Sequence, residues 1–252
     1  MDREQRLKVI IRAVDRPGVT TVDSLVSLTG ASGVTIRRDL AELEAIGAVE
    51  RVHGGAKKVA TRGAPQPFSL RQSEDKAEKQ ALAIAVAEMI NDEESVIIDN
   101  GTTCQAVARR LSGRPITALC LSLYSAAAIA KRPGARVIIP GGEVENDTLA
   151  LHGSAALSTI HDFSADVILL GSCSTSLERG LATVTYPDAE NKRAGMAAAS
   201  RSILVVTPRK LGRVSTFRFA DVSDLDTLVT TADAPREMLA EIRDLGVRVV
   251  TV

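Results

Sequence analysis

The stretch VIIDNGTTCQAVARRL, residues 96–111, contains an apolar strand, a tight turn and an amphipathic helix in succession. The apolar run 96–98 predicts a buried strand, and Asp99 with the Gly-Thr-Thr at 101–103 predicts a turn into a helix. Backbone N–H groups and hydroxyls at such a turn converge on an anion, and the helix dipole favours negative charge there. The stretch therefore predicts an α/β fold with a phosphate-binding loop. It leaves open whether that loop turns over a substrate or only senses one.

Strands and helices continue to alternate through most of the chain after residue 73. Their apolar periodicity predicts helices at 74–90, 104–111, 124–131, 154–161, 188–199 and 235–244, and strands at 95–99, 116–121, 136–140, 166–170, 202–206, 226–229 and 247–251. This alternation predicts a mostly parallel sheet with helices on both faces. Aromatic residues are only 2% of the chain, so its core consists of Ala, Val, Leu and Ile, which suits buried parallel strands.

Composition argues against several other classes of protein. The 252 residues carry 31 Lys and Arg against 31 Asp and Glu, so net charge by itself predicts no polyanionic partner. No charged leader and no apolar run of membrane-spanning length stands out, so we expect a cytoplasmic protein without membrane contact. Cys104, Cys120 and Cys173 do not suggest a disulfide framework, and the histidines share no metal-ligand spacing. We therefore expect neither a metal nor a cofactor.

Residues 1–58 form a separate predicted domain with helical periodicity, followed by a linker of Pro, Gly and polar residues at 59–72. The predicted boundaries are Pro17-Gly18 after the first helix, Thr21 and Gly30 around the second, and Ser32 and Gly47 around the third. A strand at 48–52 then turns at Gly54-Gly55 into a second strand. Three helices followed by a hairpin predict a winged helix-turn-helix, with residues 73–252 as a second domain.

The third predicted helix has an inward and an outward face. Its inward positions are Ile36, Leu40 and Leu43, and its outward face carries Val34, Thr35, Arg37 and Arg38. Methyl, hydroxyl and guanidinium groups are those that contact base edges and phosphates in a major groove. The predicted DNA-binding residues include the capping serine and the basic hairpin as well: Ser32, Val34, Thr35, Arg37, Arg38, Arg51, His53, Gly54, Gly55 and Lys57, with Lys58 beside them.

The segment Val22 to Ala56, VDSLVSLTGASGVTIRRDLAELEAIGAVERVHGGA, resembles the N-terminal signature of the DeoR family, bacterial repressors of sugar catabolism. The specific part is the TIRRDL core at 35–40 followed by the RVHGGA wing at 51–56. The resemblance implies that TIRRDLAEL is the recognition helix, in agreement with its outward face, and that the partner is double-stranded operator DNA. A two-fold operator requires a two-fold protein, so we expect a homodimer or homotetramer.

The resemblance extends to the C-terminal region, where DeoR-type sensor domains have an Asp-x-Gly-Thr-Thr loop, a Gly-Gly-Glu segment and an acidic residue before a Lys-Arg-Ala helix. It implies a fold similar to ribose-5-phosphate isomerase and CoA transferases, and a phosphorylated sugar as inducer. Lys192 and Lys210 would offer charge to a phosphate, and Asp99 would accept hydrogen bonds from sugar hydroxyls. The predicted effector-binding residues are Asp99, Asn100, Gly101, Thr102, Thr103, Gly141, Gly142, Glu143, Gly171, Cys173, Glu190, Lys192 and Lys210.

Three predicted strand ends depart from the pattern of the family. Cys173 stands at an acidic position, residues 207–210 read Thr-Pro-Arg-Lys in place of Asp-Ser-Ser-Lys, and residues 120–122 read Cys-Leu-Ser in place of Thr-Asn-Ser. Open α/β sheets bind ligands at strand C-termini. Two acids and an amide are therefore lost and Arg209 is gained, so our hypothesis is an unusual effector, more anionic and less dependent on carboxylate contacts.

Two other functions remain open at this point. A carboxylate and Lys192 could move a proton next to a carbonyl, as in a sugar-phosphate isomerase or CoA-transferase-like enzyme with an accessory DNA-binding domain. The C-terminal domain could instead serve only for oligomerisation. Cys104 and Cys173 could meet at the pocket as a redox switch or be small buried thiols. The DNA-binding domain ahead of the pocket favours a regulator without catalysis.

Overall fold

A computed structural model describes residues 1–14, 18–45, 48–57 and 67–252, which form two compact units, Met1–Leu70 and Arg71–Val252. Several predicted features lie outside the described residues, namely the helix stop at Pro17, the helix end at Gly47, Lys58 of the wing and residues 59–66 of the linker. The division into residues 1–58, 59–72 and 73–252 stays a prediction.

The first unit contains three helices and a three-stranded antiparallel sheet. Its elements are α1 (Arg3–Val14), β1 (Val19–Thr21), α2 (Val22–Thr29), α3 (Gly33–Ala45), β2 (Glu50–Val52) and β3 (Gly55–Lys57). Strand β3 lies between β1 and β2. Strand β1 was not predicted, because three residues are too few to show a period of two.

The predicted helix caps of this unit are confirmed. Thr21 Oγ1 accepts a hydrogen bond from the backbone N–H of Ser24 at 3.2 Å, which begins α2. Gly30 ends α2 in the left-handed conformation, with φ 70°. Ser32 Oγ accepts a hydrogen bond from the N–H of Thr35 at 3.2 Å, which begins α3. These local signals therefore set the boundaries of the helices around the tight turn.

Helix α3 buries one face as predicted, with Ile36, Leu40 and Leu43 at most 1% exposed. Asp39 in the TIRRDL motif is buried as well, and Arg6 of α1 donates from Nε to Asp39 Oδ2 at 2.7 Å. A buried carboxylate needs such a partner. The ion pair therefore holds α3 against α1 in the orientation that leaves the opposite face exposed.

The second unit alternates strands and helices. Its strands are β4 (Ser95–Ile98), β5 (Thr117–Cys120), β6 (Arg136–Ile138), β7 (Glu143–Val144), β8 (Leu151–His152), β9 (Ala165–Leu170), β10 (Ser174–Ser176), β11 (Gly180–Thr183), β12 (Ala199–Val205), β13 (Phe217–Ala220), β14 (Thr227–Thr230) and β15 (Arg248–Thr251). Its helices are α5 (Lys76–Glu88), α6 (Thr102–Leu111), α7 (Leu123–Ile129), α8 (Ser154–His161), α9 (Tyr186–Ala197) and α10 (Arg236–Asp244), and α4 (Phe68–Ser73) covers the boundary of the two units.

Seven of these strands form one sheet in the order β15-β14-β12-β9-β4-β5-β6, and every neighbouring pair is parallel. Successive strand residues face opposite sides of a sheet, so Ile97 packs in one hydrophobic core and its neighbours Val96 and Ile98 pack in the other. Helices α8, α9 and α10 contribute to the first core, and α5, α6 and α7 to the second. The predicted parallel sheet with helices on both faces is confirmed.

Several short elements of the second unit were not predicted. Strands β10, β11 and β13 form a second, antiparallel sheet, and β7 pairs with β8 in a hairpin. These strands are two to four residues long, too short for a periodic signal. Helix α4 begins inside the predicted linker, because Gly63, Pro65 and Pro67 precede it and FSLRQS contains no helix breaker.

The chain changes direction in the sheet between β4 and β9. Strands β5 and β6 follow β4 on one side, whereas β12, β14 and β15 follow β9 on the other. Such a switch point opens a crevice at the carboxyl ends of the strands, where α/β proteins bind ligands. Asn100 follows β4, Gly171 follows β9 and Thr207 follows β12, so the loops of these three strands meet at the crevice.

Candidate functional site

A cavity of about 350 Å³, counting the part open to solvent, lies at this switch point. Its lining residues are Arg71, Asn100, Gly101, Thr102, Thr103, Cys104, Gly171, Ser172, Cys173, Asp188, Lys192, Val205 and Lys210. The structure thus brings most of the predicted effector-binding residues together, although they come from three separate strand ends and a helix.

Some predicted residues do not line the cavity. Asp99 is fully buried below the lining, and Gly141, Gly142 and Glu143 lie exposed at the hairpin of β7 and β8. Glu190 does not line the cavity either, and Asp188 of the same helix takes that place. Residues four apart share a helix face, whereas residues two apart do not, so Asp188 and not Glu190 meets Lys192.

The start of α6 forms one wall of the cavity. Gly101 precedes the helix with φ 110°, a conformation that favours glycine, and Thr102 and Thr103 begin it. The first N–H groups of a helix have no partner within the helix, and they carry the positive end of its dipole. Both threonine side chains are buried against the cavity. This wall can therefore bind an anion with backbone and hydroxyl donors.

Two basic side chains besides Lys192 line the cavity. Lys210 donates from Nζ to the carbonyl oxygen of Ser172 at 2.8 Å, and Arg71 lies with Nη2 3.6 Å from Asp147 Oδ2. Burial lowers the pKa of Lys210, and the nearby positive charge of Arg71 contributes in the same direction. An anion in the cavity would offset both effects, because it favours the charged form of the amine. Arg71 was not predicted, because it falls in the segment assigned to the linker.

Lys192 has a different environment from the one predicted. Its side chain is 2% exposed and contacts two carboxylates, Asp99 Oδ2 and, at 3.2 Å, Asp188 Oδ1. Burial opposes the charge, but the two carboxylates raise the pKa of Lys192 above its ordinary value. The ammonium is therefore neutralised inside the protein. Lys192 nevertheless lines the cavity, and its predicted contact to a phosphate stays a prediction.

The same carboxylates fix the loops around Lys192. Asp99 Oδ2 accepts a hydrogen bond from the N–H of Gly171 at 2.8 Å, which joins the ends of β4 and β9. Asp188 accepts hydrogen bonds from Asn100 Nδ2 at 2.6 Å and from the hydroxyl of Thr183. Burial raises the pKa of Asp99, whereas for Asp188 burial is outweighed by Lys192 and these hydrogen bonds, which lower its pKa. The network holds the cavity loops in place.

The turn between α4 and α5 is held by Lys79. Its Nζ donates to the carbonyl oxygen of Glu74 at 2.7 Å and also to that of Arg71. Burial lowers the pKa of Lys79 to about 8. Nearby, Gln72 Nε2 donates to Gln105 Oε1 at 2.8 Å. These hydrogen bonds fix the segment 71–79 beside the cavity, which Arg71 lines. The composition of its first residues had suggested a linker.

The cysteines of the cavity are free thiols. Burial raises the pKa of Cys104, which leaves its thiol protonated and unreactive at neutral pH. Cys173 is half-buried with Sγ 3.6 Å from Thr183 Oγ1. The environment of Cys104 therefore favours the small-thiol interpretation over a redox switch. Within the described ranges no group of three or more His, Cys, Asp or Glu is arranged to bind a metal.

The candidate DNA surface lies on the exposed face of α3. Val34 is 76% exposed, and Arg37 and Arg38 are exposed beside it. In the wing, Lys57 pairs with Glu50 at 2.9 Å and Arg51 with Glu44 at 3.5 Å, so part of its positive charge is compensated. His53 and Gly54 are exposed at the tip, whereas Gly55 is buried. Ser32 and Thr35 hydroxyls lie 3.0 Å apart at the start of the helix.

Lys192→Met should destabilise the protein strongly, because it leaves Asp99 and Asp188 as buried carboxylates without a cation. Breaking a buried ion pair costs about 3–5 kcal/mol. Lys76→Met, a substitution of the exposed lysine at the start of α5, is the matched control and should change little. Urea unfolding measures both, and adding Asp99→Asn to Lys192→Met should recover part of the loss. Equal stability of the two Met variants would contradict the structural part assigned to Lys192.

Lys79 should make stability rise with pH in the alkaline range. Its pKa is about 8 in the folded chain against an ordinary value of 10.5, so between these values the unfolded chain binds more protons. The free energy of unfolding then increases with pH through this group. From about pH 7 to about pH 10, wild type should gain stability relative to Lys79→Met in urea unfolding. Identical pH profiles would contradict the burial of a charged Lys79.

Comparisons with known proteins agree with both units. A model of the DeoR-like helix-turn-helix domain matches residues 6–62, and a model of the DeoR C terminal sensor domain matches residues 74–232. None of the helices in the described part of the chain has the length and apolar character of a membrane span. Among solved structures, ribose 5-phosphate isomerase A from Methanocaldococcus jannaschii is similar with a TM-score of 0.40 and 11% identity over 55% of each chain, which is too low to support a conclusion.

Relatives that match over nearly the whole chain are also transcriptional regulators. The HTH-type transcriptional regulator GlpR of Haloferax volcanii is 31% identical over 98% of this chain and 96% of its own. The glycerol-3-phosphate regulon repressor of Escherichia coli is 30% identical over 97% of each chain. The HTH-type transcriptional repressor GlcR of Bacillus subtilis is 28% identical over 97% of this chain and 94% of its own. These proteins are regulators and not enzymes, which decides against the isomerase alternative. The chain therefore belongs to the DeoR family of DNA-binding transcriptional regulators.

Proposed function

We propose that this regulator represses a carbohydrate catabolic operon and leaves its operator when a phosphorylated sugar or a similar anionic metabolite binds the cavity. The observation that carries the proposal is the combination at one cavity of a helix N-terminus, two threonine hydroxyls and the cations Lys210 and Arg71. Helix N-termini and basic side chains are the groups that bind phosphate in proteins. The glycerol-3-phosphate regulon repressor of Escherichia coli, a relative of this chain, is named for a phosphorylated metabolite, which supports the same class of effector.

The structure changes our hypothesis about the effector. Arg209 does not line the cavity, so the gained arginine no longer argues for a more anionic ligand. Cys173 does line it where the family pattern has an acid, and Asp188 is already bonded to Lys192. We therefore propose an effector that is held mainly through its anionic group and makes few contacts to carboxylates.

On the DNA side, we propose that α3 lies in the major groove and the wing contacts the backbone. Val34 can contact a thymine methyl, and Arg37 and Arg38 can contact guanine edges or phosphates. The exposed tip of the wing at His53 and Gly54 can approach the backbone closely. We propose Ser32, Thr35, Arg51 and Lys57 as further contacts to the DNA backbone. Gly55 is needed in the wing for a structural reason, because a side chain there would clash with Thr20 of β1.

Release from DNA requires two states of the protein. We propose a homodimer or homotetramer in the cytoplasm, in which the effector binds the DNA-incompetent arrangement more tightly and so shifts the population toward it. The two-fold symmetry of a dimer would match two operator half-sites. If the C-terminal unit served only for oligomerisation, no metabolite would stabilise it against heat.

Arg38→Ala should weaken operator binding by about tenfold and lower the salt dependence of binding by about one unit of slope, because it removes one guanidinium contact. The measurement is fluorescence anisotropy of labelled DNA from the region upstream of the gene that encodes this protein, at several salt concentrations. Arg110→Ala, which removes an exposed arginine of α6, is the matched control and should change neither quantity. Wild-type binding by Arg38→Ala would show that the recognition face is assigned wrongly.

A panel of glycerol 3-phosphate, glucose 6-phosphate and ribose 5-phosphate should include a compound that releases the protein from its upstream DNA, while the unphosphorylated parents should not. For that compound, Lys210→Met should raise the concentration needed by at least about tenfold, because one charge-assisted contact is lost. Lys131→Met, at an exposed lysine, is the control. If no compound releases DNA or raises the melting temperature, the effector proposal is wrong.

A further inference from the structure

Arg209 and Lys210, two consecutive residues of one short turn, make different contacts. Pro208–Lys210 form a single turn of 3-10 helix after β12. Lys210 lines the cavity, whereas Arg209 turns away from it, with Nη1 2.6 Å from Glu74 Oε2 and 3.4 Å from Asp75 Oδ2. One guanidinium thus binds two adjacent carboxylates on another segment of the chain. We call these three side chains, Arg209, Glu74 and Asp75, the clasp.

The carboxylates of the clasp belong to the turn that follows Arg71. Asp75 has φ 49°, a left-handed conformation that is uncommon outside glycine, and α5 begins at the next residue. The backbone of this turn is bonded to Lys79 through the carbonyl oxygens of Arg71 and Glu74. Arg209 and Lys79 therefore hold the same turn. Arg209 contacts the side chains of the turn, whereas Lys79 donates to its backbone carbonyl groups.

The clasp opposes a repulsion between cations. Arg71, Lys79 and Lys210 lie close enough that the charge of Arg71 contributes to the lowered pKa of Lys210, after burial, and that of Lys210 to the lowered pKa of Lys79. Like charges favour separation of the segments that carry them. The ion pairs of Arg209 with Glu74 and Asp75 oppose this separation in the absence of a ligand. They connect the turn that carries Lys210 with the turn that follows Arg71.

We propose that Arg209 is a positioning residue for effector binding, which holds Arg71 and Lys210 together at the cavity by fastening the loop of residues 208–210 to the turn of residues 74–75. The proposal rests on the anion-binding function proposed above and adds a residue that does not touch the ligand. Organising two cations in advance reduces the cost of ordering them when the anion binds. The arginine gained relative to the family pattern thus acts on the protein and not on the effector.

The critical variant is the double substitution Glu74→Gln with Asp75→Asn, because two explanations predict opposite results for it. Removing two negative charges near the cavity should tighten anion binding if only the electrostatic field matters. Loss of the clasp should weaken anion binding if Arg209 acts by positioning. We expect the apparent Kd for inorganic phosphate and for glucose 6-phosphate to rise by about threefold to tenfold.

The experiment uses the full-length protein and measures melting temperature against the concentration of each anion. Arg209→Ala should show a rise in apparent Kd similar to that of the double variant, and the triple variant should show little more, because the three side chains act as one unit. Arg209→Lys should fall between wild type and Arg209→Ala, since lysine keeps the charge without the two-pronged geometry. Arg213→Ala, at an exposed arginine nearby, should bind anions like wild type.

The affinity of the clasp variants for the operator, measured without added anion, shows whether a variant has lost only the positioning of the cavity residues or its structure in general. It should be unchanged in the clasp variants, and Arg209→Lys keeps the test valid if Arg209→Ala does not fold. The positioning proposal is overturned if the double variant binds anions as tightly as wild type or more tightly, or if only the substitutions of Arg209 weaken binding, which would indicate direct contact with the ligand. A wild type that responds neither to these two anions nor to any other compound of the panel above would overturn the anion-binding proposal together with this one.

Discussion

The second unit depends on the buried ammonium of Lys192 between Asp99 and Asp188. One side chain of α9 thereby connects the end of β4, through Asp99, with the loop after β9, through Gly171. An ammonium or a carboxylate buried without a partner would be far less stable than in water, so Asp99 and Asp188 each require Lys192, and the two carboxylates keep Lys192 charged. The cavity exists at the switch point because this ion cluster holds its loops together.

This arrangement explains why a site that resembles an enzyme belongs to a regulator. A carboxylate beside a lysine is a usual pair for moving protons, but here the lysine is 2% exposed and carries two ion pairs. Proton transfer to a ligand would require that cluster to come apart. Anion binding as we propose it uses other groups of the lining, namely the start of α6, Lys210 and Arg71. In that proposal the ion cluster holds the loops and other cations meet the ligand, although Lys192 also lies at the lining.

The first unit uses a similar division. Asp39 directly follows Arg37 and Arg38, which face the DNA in our proposal, yet it is buried and bound to Arg6 of α1. Its part is to orient α3, whereas the two arginines before it stay exposed. In both units a buried ion pair fixes the backbone beside a surface or cavity that we propose to bind a ligand.

Local patterns in the sequence were sufficient for much of the structure. The caps Thr21, Gly30 and Ser32, the inward face of α3 and the alternation that makes the parallel sheet depend on residues a few positions apart, and the sequence by itself determined them. The tertiary structure alone decided that Lys192 is neutralised, that Asp188 replaces Glu190 at the cavity, that Arg71 lines it and that Arg209 faces Glu74 and Asp75. These contacts join segments far apart in the chain, and the sign of a charge does not show which distant partner will meet it.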